Sequence, residues 1–286
     1  MTTLFRLMGI VNVTPDSFSD GGQFLQADAA VAHGLELIGE GAQIVDVGGE
    51  STRPGAEPVS AEEELRRVLA VVEGLAAAQS GAQISIDTSK ASVARASLEA
   101  GATLVNDVTA LRGDRLMAAA VAEGEADCCL MHMLGEPRTM QREPRYDDVV
   151  DEVKAFLHER MEFAVREGIE ERRLLLDPGI GFGKTVEHNL ALLARLDELA
   201  SLGRPLVIGT SRKSFLGRVV GDGDDRSQTG RRRLAATIAS NVLALERGAS
   251  VFRVHEVAPV REALAVAAAT LGGGWTTSPA ATTPTS

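Results

Sequence analysis

Short runs of apolar residues alternate with longer amphipathic stretches along this chain, and the alternation repeats eight times. The apolar runs fall at 7–13, 44–47, 84–86, 104–106, 128–131, 174–176, 206–208 and 251–254. Near-continuous apolar runs of this length are the pattern of parallel strands covered on both faces. The stretches between them have helical period. Ser60 and Glu63 have the spacing of a capping box, and Leu65, Val68, Leu69, Val72 and Leu75 follow on one face. Val149, Val153, Phe156 and Leu157 predict another helix, as do Leu190, Leu193, Leu196 and Leu199. Pro259 suits the first turn of the last helix. Gly41, Gly101, Gly168, Gly203 and Gly248 each come a few residues before the next apolar run, where a left-handed helix end favours glycine.

Eight strand-then-helix units in series predict the α/β class and a single (β/α)8 TIM barrel over 1–271. An open, doubly wound sheet is the alternative. The length of 286 residues suits the barrel, which typically needs about 250. The remaining stretch, 272–286, is rich in Gly, Thr, Pro and Ser without periodicity and reads as a disordered tail.

Composition narrows the functional classes. A hydrophobic fraction of 44% is enough for a sizeable core, yet no apolar run approaches the roughly 20 residues of a spanning helix. The first residues lead straight into a strand-like run, so no signal peptide is expected and the cytoplasm is the default location. The formal net charge of −11 repels nucleic acid and anionic membrane surfaces, and neither is expected as a partner. An anionic substrate would need a local cationic pocket. Cys128 and Cys129 are adjacent in an apolar run, so they read as buried strand residues and not as a disulfide framework.

The unusual polar residues sit at the C-terminal ends of the strand-like runs, which a barrel gathers into one mouth. Run 1 leads into Asn12-Val-Thr-Pro-Asp-Ser-Phe-Ser-Asp20, and run 2 into Asp46-Val-Gly-Gly-Glu-Ser-Thr-Arg53-Pro54. Runs 3 to 5 end in Asp87-Thr, Asn106-Asp107 and Met131-His132. Run 6 gives Asp177-Pro-Gly-Ile-Gly-Phe182-Gly-Lys184, run 7 leads to Ser211-Arg-Lys213, and run 8 carries Arg253-Val-His255. Any one of these is explained as a helix cap or a tight turn; their coincidence at one rim is not. Arg253 and His255 share a parity, so with Phe252 and Val254 packed under the helices both face the mouth. An inward arginine is costly without an anion to meet, and Asn12 lies across the mouth. Gly179-x-Gly-x-Gly183-Lys184-Thr185 ends like a phosphate-binding P-loop, but Pro178 stands where the first glycine is required, so ATP binding is not expected. The histidines are scattered without zinc-ligand spacing.

Taken together, the blocks starting at Gly9, Val45, Ile84, Leu175, Ser211 and Arg253 resemble the dihydropteroate synthases, over about Met8 to Leu271. The resemblance implies condensation of a dihydropterin methyl diphosphate with 4-aminobenzoate, releasing pyrophosphate, with Mg2+ as cofactor and a homodimer as the usual assembly. It implies that Asp177 accepts the pterin's paired N–H donors, with Asp87 and Asn106 completing the floor, Lys213 on the other edge, and Met131 and Phe182 on the faces. It places the diphosphate on Asn12, Arg253 and His255, with Asn12 as the metal ligand. It assigns Phe18, Thr52, Arg53, Pro54, Phe182 and Ser214 to the aminobenzoate pocket. Asp20, Lys213, Arg253 and His255 are the implied catalytic residues, Asp20 facing a pterin cation formed by early loss of pyrophosphate. Two other readings are open at this point: a pterin-binding paralogue without catalysis, and a barrel passing a methyl group from methyltetrahydrofolate to a corrinoid protein.

Overall fold

The computed structural model describes residues 4–14, 23–52, 56–136, 139–221 and 231–272. Among these, eight parallel strands close into a barrel in sequence order, with the last paired to the first. They are β1 (Arg6–Asn12), β2 (Ile44–Gly48), β3 (Gln83–Asp87), β4 (Leu104–Asp107), β5 (Asp127–Met131), β6 (Leu174–Asp177), β7 (Leu206–Ile208) and β8 (Ala249–Val254). Helices alternate with them on the outside: α1 (Gln23–Gly39), α2 (Ala61–Ala77), α3 (Ala91–Glu99), α4 (Met117–Glu123) and α5 (Val149–Arg166). Next come α6 (Val186–Ala194) with α7 (Leu196–Ala200), α8 (Ser214–Val219) with α9 (Arg231–Glu246), and α10 (Val257–Leu271). The tail beyond 272 lies outside the described residues.

Strand alternation divides the apolar residues between two cores. Outward-pointing Leu7, Val45, Val47, Val105, Leu130, Leu176, Phe252 and Val254 join the layer beneath the helices. Inward-pointing Met8, Ile44, Leu104, Cys129, Leu175, Val207 and Val251 form a separate plug inside the barrel. Their strands are therefore buried on both faces, which is why the sequence shows continuous runs instead of alternation. Cys128 and Cys129 point to opposite sides of β5 and are free, buried thiols.

The five helix-ending glycines all adopt positive φ, from +75° at Gly203 to +115° at Gly101, as their placement predicts. Ser60 accepts a hydrogen bond from the Glu63 N–H, but the box is only half made: the Glu63 carboxylate pairs with Arg66 and Arg67 instead of turning back to the cap. The run Leu190, Leu193, Leu196 and Leu199 does not lie on one face. The inward face of α6 runs through Asn189, Leu192 and Leu193, which leaves Leu190 exposed, while Leu196 and Leu199 are buried beyond the break at Arg195 (φ −114°, ψ 30°). β8 starts at Ala249, two residues before the apolar run, because the pairing with β7 slips by one residue opposite Leu206 and Val207.

The inner plug carries the site above it, so it should be intolerant of voids. Leu104→Ala empties part of a fully buried side chain and should lower unfolding free energy by about 2–5 kcal/mol, measured by urea titration; an unchanged midpoint would remove the plug from the account of stability.

Candidate active site

Directly above the inner plug, the same inward parity delivers polar residues. Asp46 on β2, Ser85 on β3, Asn106 on β4 and Arg253 on β8 make one layer, linked through a single carboxylate. Asp46 accepts from the Ser85 hydroxyl at 2.6 Å, the Asn106 amide at 3.0 Å and Arg253 Nε at 2.6 Å. Asp46 is fully buried, so these three donors replace the water it has lost. A carboxylate only accepts, which obliges Asn106 to turn its NH2 toward Asp46 and leaves its amide oxygen for another partner.

One step higher lie Asn12, Asp87, Met131, Asp177 and His255, again with inward parity. Arg253 Nη2 donates to Asp87 at 2.8 Å, so this guanidinium is forked between two carboxylates, and Nη1 makes no hydrogen bond to a described residue. Burial works against its charge, yet Asp46 and Asp87 together hold it charged. Burial also raises the Asp87 carboxyl to about 7; Arg253 opposes the rise, while Asp46 adds to it. Burial raises Asp177 too, against the pull of Lys213, the Gly179 N–H and Arg253. Its Oδ1 accepts from Gly179 N at 2.7 Å, and Oδ2 makes no bond to a described residue.

The loop after β6 is shaped by glycine. Gly179, Gly181 and Gly183 all lie at positive φ, from +64° to +83°. A Cβ on Gly179 would meet the His132 carbonyl oxygen at 1.8 Å, so no other residue fits there. This folding brings Phe182 against Lys213, whose ammonium lies 4.8 Å from the ring centroid and donates to the Ile180 carbonyl. Burial brings Lys213 down to about 8, with Asp177 opposing.

Asp87, Asn106, Met131, Asp177, Phe182, Lys213, Arg253 and His255 thus come together around one mouth. His255 Nδ1 pairs with Ser211 Oγ at 3.0 Å. Asn12 ends β1 at the same rim, half-buried, and its side chain makes no hydrogen bond to a described residue. Ser214 is exposed at the start of α8, and Thr52 is half-buried beyond β2. Phe18, Asp20, Arg53 and Pro54 lie outside the described residues. Gly49, just after β2, is held by packing: a Cβ there would meet Val68 at 2.8 Å.

Sequence reasoning missed Asp46 and Ser85, although the parity that singles out Arg253 singles them out as well. It also gave no role to Lys184, which is buried against His132 behind the β6–α6 loop. Asp107, by contrast, points outward and accepts from the N–H groups of Thr109 and Leu111, bracing the turn after β4.

Comparison with known proteins agrees with this geometry. The family model for pterin binding enzymes matches residues 8–255. A dihydropteroate synthase of Escherichia coli K12 is 48% identical over 266 residues, which is 93% of this chain and 92% of that one. Among solved structures, the dihydropteroate synthase of Xanthomonas albilineans with 4-aminobenzoic acid is 49% identical with a TM-score of 0.85, covering 93% of both chains. The same enzyme in complex with 7,8-dihydropteroate is 46% identical with a TM-score of 0.82, covering 93% of this chain and 94% of that one. The chain belongs to the dihydropteroate synthase family of pterin-binding enzymes, the transferases that join a dihydropterin diphosphate to 4-aminobenzoate in folate biosynthesis.

Proposed function

We propose that the pterin lies on the floor made by Asp87, Asn106 and Asp177, between Met131 and the Phe182–Lys213 stack. The observation that carries this reading is the inward set of three acceptors, Asp87, the Asn106 oxygen and Asp177, above one apolar plug. A pterin's amino-pyrimidinone edge offers N–H donors that match them. Asp177 keeps Oδ2 and a second lone pair on Oδ1 for that edge, and Lys213 meets the carbonyl and ring nitrogen from the other side. 4-Aminobenzoate then occupies the outer rim at Thr52, Phe182 and Ser214, and the resemblance assigns Phe18, Arg53 and Pro54, outside the described residues, to the same substrate.

The diphosphate sits toward Asn12, Arg253 Nη1 and His255. As the bond from the pterin methylene to the diphosphate oxygen breaks, its electron pair leaves with pyrophosphate, and Arg253 stabilises the growing charge. The route is SN1-like: the pterin cation is held by its own ring and faced by Asp20. The aniline nitrogen then bonds to the methylene carbon and gives up a proton. An Mg2+ ion fits the donor set, because Asn12 offers a hard oxygen without a hydrogen bond to a described residue and a diphosphate supplies the rest. Among the described residues no group of three His, Cys, Asp or Glu could hold a metal. When bound, the ion would neutralise diphosphate charge. The enzyme works on these small molecules as a homodimer in the cytoplasm. The described residues include no helix long and apolar enough to cross a membrane.

The direct assay is pyrophosphate release with dihydropterin diphosphate, with and without 4-aminobenzoate. Release that depends on 4-aminobenzoate is expected; tight pterin binding without release would favour a silent paralogue. Asp177→Asn puts an amide where both oxygens must accept, and should weaken pterin binding by about 3 kcal/mol; calorimetry giving the original affinity would sink this assignment. Arg253→Ala should depress kcat by roughly 100-fold, and wild-type kinetics in that variant would take β8 out of the mechanism.

A further inference from the structure

Lys184 is 3% exposed, and an ammonium in that position costs desolvation that a methionine of similar length would avoid. Its Nζ lies 3.0 Å from the Phe182 carbonyl and 2.9 Å from His132 Nδ1. His132 packs edge-on against Phe156 with ring centroids 4.8 Å apart, and its own burial keeps the ring neutral, with a pKa near 2. An ammonium only donates, so the neutral ring presents its unprotonated nitrogen, Nδ1, to Lys184, and the lysine is the donor in both contacts.

Each carbonyl from Gly179 to Gly183 has its own donor. The Phe182 N–H closes on Gly179, Lys213 takes Ile180, Gln141 takes Gly181, Lys184 takes Phe182, and the Tyr146 hydroxyl takes Gly183 at 2.8 Å. Of these donors, Lys213 belongs to the pterin pocket, whereas Lys184 and Tyr146 grip the loop from behind. The loop's first amide donates to Asp177, and its aromatic residue stacks under Lys213. Moving the loop therefore moves both an acceptor and a face of the pocket.

We propose that Lys184, seated on His132, is a positioning residue that fixes the β6–α6 loop and through it sets the affinity of the pterin site. This rests on the pterin reading above. Its charge also faces Asp177, together with those of Lys213 and Arg253, so the same residue supports the carboxylate electrostatically. The lysine that imitates a P-loop in the sequence binds no phosphate; it binds its own loop. Tyr146 acts on the next carbonyl along, and its ring meets His188 edge-on at 4.9 Å, which ties the same brace to α6.

The test is steady-state kinetics of the full-length enzyme, with thermal melting recorded in parallel, for Lys184→Met and Tyr146→Phe. Lys184→Met should raise KM for the dihydropterin diphosphate about tenfold and leave kcat within about threefold. Tyr146→Phe, which removes one hydroxyl and little volume, should give the same split at about threefold. A brace with only a structural role would lower the melting temperature and the fraction of active enzyme, with KM unchanged. Unchanged KM in Tyr146→Phe and in folded Lys184→Met overturns the proposal. If Lys184→Met does not fold, the Tyr146→Phe value decides alone. Turnover by the unmodified enzyme in the same assay tests the underlying reading separately.

Discussion

A single arginine crosses the barrel from its last strand to its second and third. Arg253 reaches Asp46 and Asp87 at once, and Asp46 in turn holds Ser85 and Asn106. Four strands, β2, β3, β4 and β8, are thereby linked through polar groups just above the apolar plug. Removing one partner of such a buried pair costs about 3–5 kcal/mol because the other is left unpaired. The arrangement is thus self-enforcing: each inward charge is tolerable only because the others are in place. The floor of the pocket inherits its geometry from that requirement, including the direction in which Asn106 presents its oxygen.

Charge balance follows from the same layer. Asp46, Asp87 and Asp177 face Arg253, Lys213 and Lys184. An incoming diphosphate meets a pocket that is nearly neutral, not a strongly cationic one, so a divalent cation arriving with it suits the chemistry. Burial brings Lys184 down to about 7 and Lys213 down to about 8, against the attraction of Asp177.

Much of this was legible in the residues themselves. The eight strands follow from eight apolar runs, and the parity of Arg253 and His255 turns both toward the mouth. What stayed hidden was hidden for physical reasons. Asp46 sits inside an apolar run, and its value depends on Ser85, Asn106 and Arg253, which lie far away in sequence. Lys184 looks like a failed phosphate motif until the fold shows His132 behind it. Leu190 follows the helical period, but the inward stripe of α6 includes the polar Asn189, so it runs through Asn189, Leu192 and Leu193 and leaves Leu190 outside.

Asp46 organises the floor by holding Arg253 and Asn106. Asp46→Asn keeps the size and removes the charge. Far-UV circular dichroism should be retained, while kcat/KM for the dihydropterin diphosphate falls at least about 100-fold, equivalent to about 2.7 kcal/mol. A folded Asp46→Asn enzyme with the original kcat/KM would contradict this role of Asp46.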